Sequence, residues 1–480
     1  MAESRRKRIA VIGAGVAGLA AAYRLSRLAA RGGVPLDLTV LEAAARAGGA
    51  IETVVRDGFV MERGPDSIVT EKPRGIELCR EVGLGDRILP TNREHAGSLV
   101  FRDSRLFPVP DGLHLMAPSR LLPFLASPLL SWPGKLRVAI EPFIPRRLDL
   151  ADESLADFVR RRLGNEALVR LAQPMVGGVY TADPEKLSLR ATMPRFIEHE
   201  RRHGSVIRGM VAARRSREVG LSDARGPRYE LFVSLRGGLE DLTRRLVERL
   251  PAGVLRLGSA VERMERTPSG WSLATSDARV EADAVCIAAP AHAAARLVAS
   301  FAPSLASELG AIEHASSATI NLVYRGDDVG DPLEAFGFVV PAVERLPLIA
   351  CTYSSRKYAA RAREGTVLLR AFVGGALFPE HLAADDAALV DSAHACLARL
   401  LRIRARPLET MVSRYPHSMP QYHVGHLARV ERIDAAVAGH PTLALAGNAY
   451  RGTGIPDCIA SGETGAEKLF GVITAAQGTF

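Results

Sequence analysis

The sequence predicts an α/β protein built on a Rossmann-type dinucleotide-binding domain whose pieces come from both ends of the chain. Three observations predict it. A glycine-rich turn, Gly13-Ala14-Gly15-Val16-Ala17-Gly18, separates the apolar run RIAVI from the helical pattern AGLAAAYRLSRLAAR. A second apolar run, LDLTVLE, ends in Glu42, 24 residues beyond Gly18. The last segment, LALAGNAYRGTGIPDCIASGETGAEKLF, reads as a strand, a glycine-rich loop and a helix.

Each element has a physical reason. In the strand–turn–helix unit the first glycine permits the tight turn, the second lets backbone approach a pyrophosphate, and the third lets the helix pack on the strand. The helix N-terminus offers N–H groups and the positive end of its dipole to the phosphates. Glu42 stands where a carboxylate accepts hydrogen bonds from an adenosine ribose. A lone GxGxxG also occurs as an ordinary tight turn; strand, helix and acid in register are what point to a dinucleotide.

Residues 104–204 are rich in Leu, Pro, Arg and Met, with prolines breaking each short helix, and predict a helical domain. Residues 229–290 return to strands and one helix, and 291–436 carry longer strands such as ATINLVYRG and TVLLRAFVGG, suited to a mixed sheet. The expected division is 1–90, 229–290 and 437–480 for the nucleotide domain. The mixed-sheet domain takes 91–103, 205–228 and 291–436, and the helical domain 104–204.

With 480 residues, 47% of them hydrophobic, the chain can bury more than one core. The net charge of +9 suits anionic small molecules, lipid surfaces or nucleic acid equally, but the basic residues are dispersed rather than interleaved with aromatics, which argues against nucleic acid. The five cysteines, Cys79, Cys286, Cys351, Cys396 and Cys458, lack CxxC pairing and suggest a reducing, cytoplasmic setting. His417, His423 and His426 do not have metal-ligand spacing, so no metal is expected. The basic run Arg5-Arg6-Lys7-Arg8 before an apolar stretch imitates a signal peptide, but the three glycines and the absent cleavage site favour strand, turn and helix. No stretch reaches about 18 uninterrupted apolar residues, so no membrane crossing is expected. Residues 113–147 admit two readings, a peripheral membrane face at the inner side of the cell membrane with snorkelling Arg120, Lys135 and Arg137, or a proline-broken core layer.

Glu42-Ala43-Ala44-Ala45-Arg46-Ala47-Gly48-Gly49 and Glu62-Arg63-Gly64-Pro65-Asp66 resemble the FAD contacts of the amine oxidase-like flavoprotein superfamily, which shares its fold with p-hydroxybenzoate hydroxylase. Here Gly48 and Gly49 would let backbone approach the phosphates and Arg46 would offer them charge; a solvated turn with a surface arginine is the bland alternative. By the same resemblance Val261, in SAVERM, would meet the adenine through its backbone. The run Leu445 to Ile459, AGNAYRGTGIPDC at its centre, is similar to the closing motif of the protoporphyrinogen and coproporphyrinogen oxidase family. So are GPDS (64–67, ending in Ser67), ADESLADFVRRRLG, QPMVGGVYTADPEKLSLRATMPR, SLRGGLEDL and MPQYHVGHLARV, which together span nearly the whole chain. In that setting Gly447, Thr453, Gly454 and Ile455 would bring backbone amides and a helix N-terminus to the flavin.

The resemblance implies FAD- and oxygen-dependent oxidation of a porphyrinogen to the porphyrin in haem biosynthesis, with hydride leaving a bridging carbon and a proton leaving a pyrrole nitrogen. It assigns Gly178 as a carbonyl acceptor for a pyrrole N–H, Phe372 as a stacking ring, and Val339 and Thr352 as cavity lining; core packing is the competing reading for Phe372 and Val339. Mitochondrial and plastid members carry a propionate-binding arginine where this chain has Ser98, and Lys72 resembles a lysine of the Gram-positive-type members. This favours coproporphyrinogen III over protoporphyrinogen IX, with a haem-pathway chelatase as a candidate recipient of the product. The alternatives are a flavin amine oxidase or desaturase of the same fold, for which only Tyr450 offers an aromatic near the flavin, and a non-catalytic lipid-binding relative.

Overall fold

The computed structural model describes residues 6–149, 151–220 and 231–475. Arg5 of the basic run and residues 221–228 of the expected mixed-sheet domain lie outside them.

The RIAVI run forms the strand Lys7–Ile12 at the centre of a five-stranded, all-parallel sheet. Its neighbours are Leu36–Leu41 on one side and Ala284–Ile287 on the other, with Leu255–Arg256 and Leu443–Leu445 at the edges. The beginning, middle and end of the sequence thus meet in one sheet. Parallel strands covered on both faces must be apolar at every position, because alternate side chains enter different cores. Ile9 and Val11 enter one core with Leu19, Leu25 and Ile459, while Ala10 and Ile12 enter another with Trp271, Leu297 and Leu443. The helices Val16–Gly32 and Ile455–Ala475 lie against each other so closely that a Cβ at Gly462 would sit 2.1 Å from the Ala17 carbonyl oxygen.

A second, seven-stranded sheet runs in the order Glu409–Pro420, His314–Arg325, Thr366–Gly374, Ala350–Tyr353, Gly337–Val339, Leu99–Arg102 and Arg105–Pro108. One of its faces, carrying Ile320, Leu322, Cys351, Leu369 and Ala371, is buried under the helix Asp386–Leu401. The other face turns towards the first domain. Thr319 Oγ1 donates to the Arg63 carbonyl (2.8 Å) and Asn321 Nδ2 to the Glu62 carbonyl (3.1 Å).

The Leu99–Arg102 and Arg105–Pro108 hairpin is one unit of this sheet, so the sheet continues past residue 104. The helix Val206–Gly220 sends Val206, Ile207 and Met210 into the helical core with Phe158, Leu171 and Phe196. That core closes over a fully buried ion pair between Arg162 and Glu141. Glu141 also accepts from the Ser205 hydroxyl and from the Val206 backbone (2.9 Å), and so holds the start of Val206–Gly220. Among the described residues no helix is long and apolar enough to cross a membrane.

Candidate flavin and substrate site

The two glycine loops of the first domain are pressed together. Gly48 N–H donates to the Ala14 carbonyl at 2.8 Å, and Gly15 and Gly48 form a parallel bridge. Side chains would not fit: a Cβ at Gly18 would stand 1.9 Å from the Gly13 carbonyl oxygen, and one at Gly13, where φ is +102°, 2.5 Å from that of Ala288. The helix that follows begins at Val16 and Ala17 with its first N–H groups unused by the helix itself. Glu42 closes this corner, since its carboxylate accepts from Ala14 N (2.6 Å) and Ala44 N (2.9 Å). The segment leading to Val261 runs beside it, with Glu42 N–H bonded to the Arg256 carbonyl and Ser259 N–H to the Glu42 carbonyl. Arg46 does not reach outward. Its guanidinium donates to the carbonyls of Ala47, Ile51 and Gly49 and pairs with Glu52, so it shapes the Gly48-Gly49 turn from behind.

The Gly64-Pro65-Asp66-Ser67 segment is fixed by charge. Asp66 binds the Lys357 ammonium at 3.0 and 3.1 Å, with Arg370 3.8 Å away, while Ser67 Oγ donates to the Asp66 carboxylate. Burial alone would raise the Asp66 pKa, but Lys357 and Arg370 outweigh it and hold the carboxyl well below the usual range. Arg370 also donates to the Gly64 carbonyl. A Cβ at Gly64 would collide with the Ala50 carbonyl oxygen at 1.8 Å, so this turn also abuts the Gly48-Gly49 loop.

The sheet face above this segment carries the expected substrate residues in register. Val339 pairs with Ala350, Ala350 with Phe372 and Phe372 with Thr319; one row away, Gly337 pairs with Thr352, Thr352 with Arg370 and Arg370 with Asn321. Directly paired residues put their side chains on one face. On that face Thr352 and Val339 are the members of their strands that are not buried, and Phe372 is the interior residue of Thr366–Gly374 that is not. These breaks in burial mark an opening. Ser98 precedes the strand paired with Gly337–Val339 at the same end, and its carbonyl accepts from Val109 N. Gly178 faces the opening from the last turn of the helix Gln173–Tyr180, where helix carbonyls lack an internal partner; a Cβ there would meet only Val339, at 3.5 Å.

The C-terminal loop forms another wall. Gly447 has φ of +128° and a Cβ on it would meet nothing within 4 Å, so the loop borders open space between buried Ala446 and the helix that starts at Ile455. Gly454 N–H is aligned with the Asp457 carboxylate at 3.2 Å, and Thr453 precedes it partly exposed. Lys72 lies at this helix end, its ammonium on Asp457 at 2.6 and 2.8 Å, so any substrate carboxylate must compete with Asp457 for it. Burial and the charge of Asp457 raise the pKa of neighbouring Tyr180.

Sequence reasoning missed Arg370 and Lys357, quoted Tyr422 only as part of a motif, and weighed His426 only as a metal ligand, a role its spacing with His417 and His423 argued against. The one available signal for Arg370 was a charge inside an otherwise apolar strand, VLLRAFV. Among the described residues no cluster of His, Cys, Asp and Glu has the arrangement of a metal site, and the five cysteines are buried and unpaired.

A glycine-lined cradle at a helix start, a ribose-level carboxylate and a C-terminal loop at the same opening fit a dinucleotide laid across the carboxyl ends of a parallel sheet. They define a Rossmann-type dinucleotide-binding protein. The model of the family described as flavin containing amine oxidoreductase matches residues 16–469. Coproporphyrinogen III oxidase of Bacillus subtilis (strain 168) is 33% identical over 95% of this chain and 97% of its own. The protein of that name from Propionibacterium freudenreichii subsp. freudenreichii is 34% identical over 98% and 92%. The crystal structure of a putative protoporphyrinogen oxidase from Exiguobacterium sp. 255-15 superposes with a TM-score of 0.83 at 31% identity, covering 96% of this chain and 98% of that one. The chain belongs to the flavin-containing amine oxidoreductase family, on its porphyrinogen oxidase branch.

Proposed function

We propose that the chain oxidises a porphyrinogen to its porphyrin with FAD and molecular oxygen, coproporphyrinogen III first and protoporphyrinogen IX second. The observation that carries this reading is that Val339, Phe372 and Thr352, on one face of the sheet, are the partly exposed residues within otherwise buried strand segments, with Val339 set against the Gly178 turn. When bound, the flavin supplies a two-electron oxidant that oxygen renews.

The protein's part is positioning. Gly178 offers a carbonyl to a pyrrole N–H, Phe372 a face on which a pyrrole ring stacks, and Val339 and Thr352 a wall that excludes water. Gly454, Ile455 and the helix they open direct positive dipole at the flavin. The Asp66–Lys357–Arg370 cluster fixes the segment beneath it. Aromatisation of the macrocycle drives the reaction, so no strong protein base is needed. Lys72, released from Asp457, would take a substrate propionate. An amine oxidase is less well supported, because Tyr450, the aromatic in the right segment, is buried.

The test measures oxygen uptake and porphyrin fluorescence on both porphyrinogens, with peroxide release from amines as control. Porphyrin from neither substrate would defeat the proposal, and faster turnover of protoporphyrinogen IX would reverse the substrate order. We further propose a cytoplasmic enzyme that rests on the inner face of the membrane. Trp132 and Leu136 stand exposed on the helix Trp132–Ala139, and Ile140 and Phe143 just past it, an apolar patch suited to an interface. Of the three cations expected to snorkel, Lys135 is buried and Arg137 is bound to the carbonyls of Arg160, Arg161 and Arg162, which leaves Arg120, exposed and paired with Asp111. Flotation with anionic vesicles tests this: wild type should float, and a Trp132→Ser, Phe143→Ser variant should not. A chelatase that accepts the porphyrin would complete the sequence.

A further inference from the structure

The loop from Asn448 to Gly452 is held mainly by two side chains from elsewhere. Tyr422 Oη donates to the Asn448 carbonyl (2.6 Å) and accepts the Gly452 N–H (2.8 Å). His426 Nε2 donates to the Tyr450 carbonyl between them, at 2.8 Å. The three contacted backbone groups thus fall on alternate residues. The two rings are stacked, with centroids 3.9 Å apart and planes 11° from parallel, and both are almost fully buried, 2% and 3% exposed. Gly452 has φ of +147°, a conformation open to glycine, and a Cβ there would stand 2.4 Å from Cγ of Asp457.

The segment carrying this pair is tied on its other side to the substrate wall. Ser188 N–H donates to the Tyr422 carbonyl (2.7 Å), Val424 N–H to the Lys186 carbonyl (2.8 Å) and Gly425 N–H to Asp152 (2.9 Å). Gln421 Nε2 reaches the Tyr180 carbonyl, at the end of the helix that bears Gly178, at 3.4 Å. One short segment therefore touches both the Gly178 helix and the loop leading to Gly454.

We propose that Tyr422 and His426 are positioning residues that set the flavin-side loop and its distance from the Gly178 wall, the stacked rings acting as one brace. The inference rests on FAD occupying the glycine-lined site and not on which porphyrinogen is the substrate, so its test reads the flavin directly. The measurements are the rate of FAD release from the purified holoenzyme, followed by the rise in flavin fluorescence, and the flavin midpoint potential. Tyr422→Phe keeps the stack and removes two hydrogen bonds; release is expected to quicken roughly tenfold, with a shifted potential. His426→Gln, which keeps a donor where Nε2 stands, should release FAD near the wild-type rate, and His426→Leu should resemble Tyr422→Phe. A merely structural pair would lower the melting temperature of these variants while leaving release and potential unchanged, and that result overturns the proposal. Should Tyr422→Phe fail to fold, the contrast between the two His426 variants decides: equal release from Gln and Leu refutes the brace.

Discussion

The Arg370 guanidinium lies 4.8 Å from the centre of the Phe372 ring while donating to the Gly64 carbonyl, so one buried cation supports both the sheet face proposed to hold the substrate and the segment proposed to border the flavin. Its Nε has no hydrogen-bond partner among the described residues. A fork-shaped cation can stack and donate together, whereas an ammonium cannot do both from one place. Arg370→Lys should therefore keep bound flavin but turn over porphyrinogen several-fold more slowly, as steady-state kinetics on flavin-replete protein will show. Equal kcat/KM in wild type and variant would remove Arg370 from the positioning machinery.

Phe372→Ala separates stacking from folding. The ring is partly exposed, so its loss opens little core, and stacking is worth about 1 kcal/mol beyond area. The variant should keep its flavin spectrum and melting temperature while kcat/KM falls roughly tenfold. A large drop in melting temperature instead would make Phe372 a core residue.

Gly18→Ala should abolish flavin binding. The added methyl would meet the Gly13 carbonyl oxygen 1.9 Å away, and relief requires moving the turn proposed to meet the pyrophosphate. The purified variant is expected to lack flavin absorbance; a yellow Gly18→Ala protein would contradict this.

The Arg162–Glu141 pair gives a stability prediction. Arg162→Met leaves Glu141 charged, fully buried and short of its partner, at a cost of about 3–5 kcal/mol. Adding Glu141→Leu removes that charge and should recover part of the loss, although the Ser205 and Val206 contacts go with it. Urea unfolding of the single and double variants provides the comparison.

Acid should weaken the fold at mildly low pH. Burial lowers the pKa of His199, His292, His314, His394, His423, His426 and His440 below the value of about 6.5 that each takes in the unfolded chain. A depressed folded-state pKa means that the unfolded chain binds more protons below pH 6.5 or so. Their stabilising contribution is complete above that pH and is lost as pH falls through the folded values. Asp66 follows the same sign but in a lower window, below the ordinary carboxylate range. Melting temperature should fall from pH 7 to pH 5.5, and a flat profile would contradict the assignment.

What the sequence revealed was local. Gly13 to Gly18 announce themselves because the tight turn and close packing demand glycine, Glu42 by its place at a strand end 24 residues beyond Gly18, and the loop from Gly447 by its glycines between a strand and a helix. The substrate face was legible only through family likeness, since Val339, Thr352 and Phe372 become neighbours by strand register and not by spacing. Arg46 was expected to offer charge to the phosphates and Lys72 to stand in for the missing propionate arginine, but each has an intramolecular partner that no local pattern announces. The extent of the helical layer was obscured for the same reason: the start of Val206–Gly220 is fixed by Glu141, about 65 positions earlier. Tyr422 and His426 address backbone atoms, which leave no trace in residue identity.

The parallel sheet has a consequence for biogenesis. Its Leu443–Leu445 strand is translated more than 430 residues after Lys7–Ile12, so on the ribosome the Ala284–Ile287 strand waits with one edge bare. Cofactor capture is then a late event in the life of each new molecule.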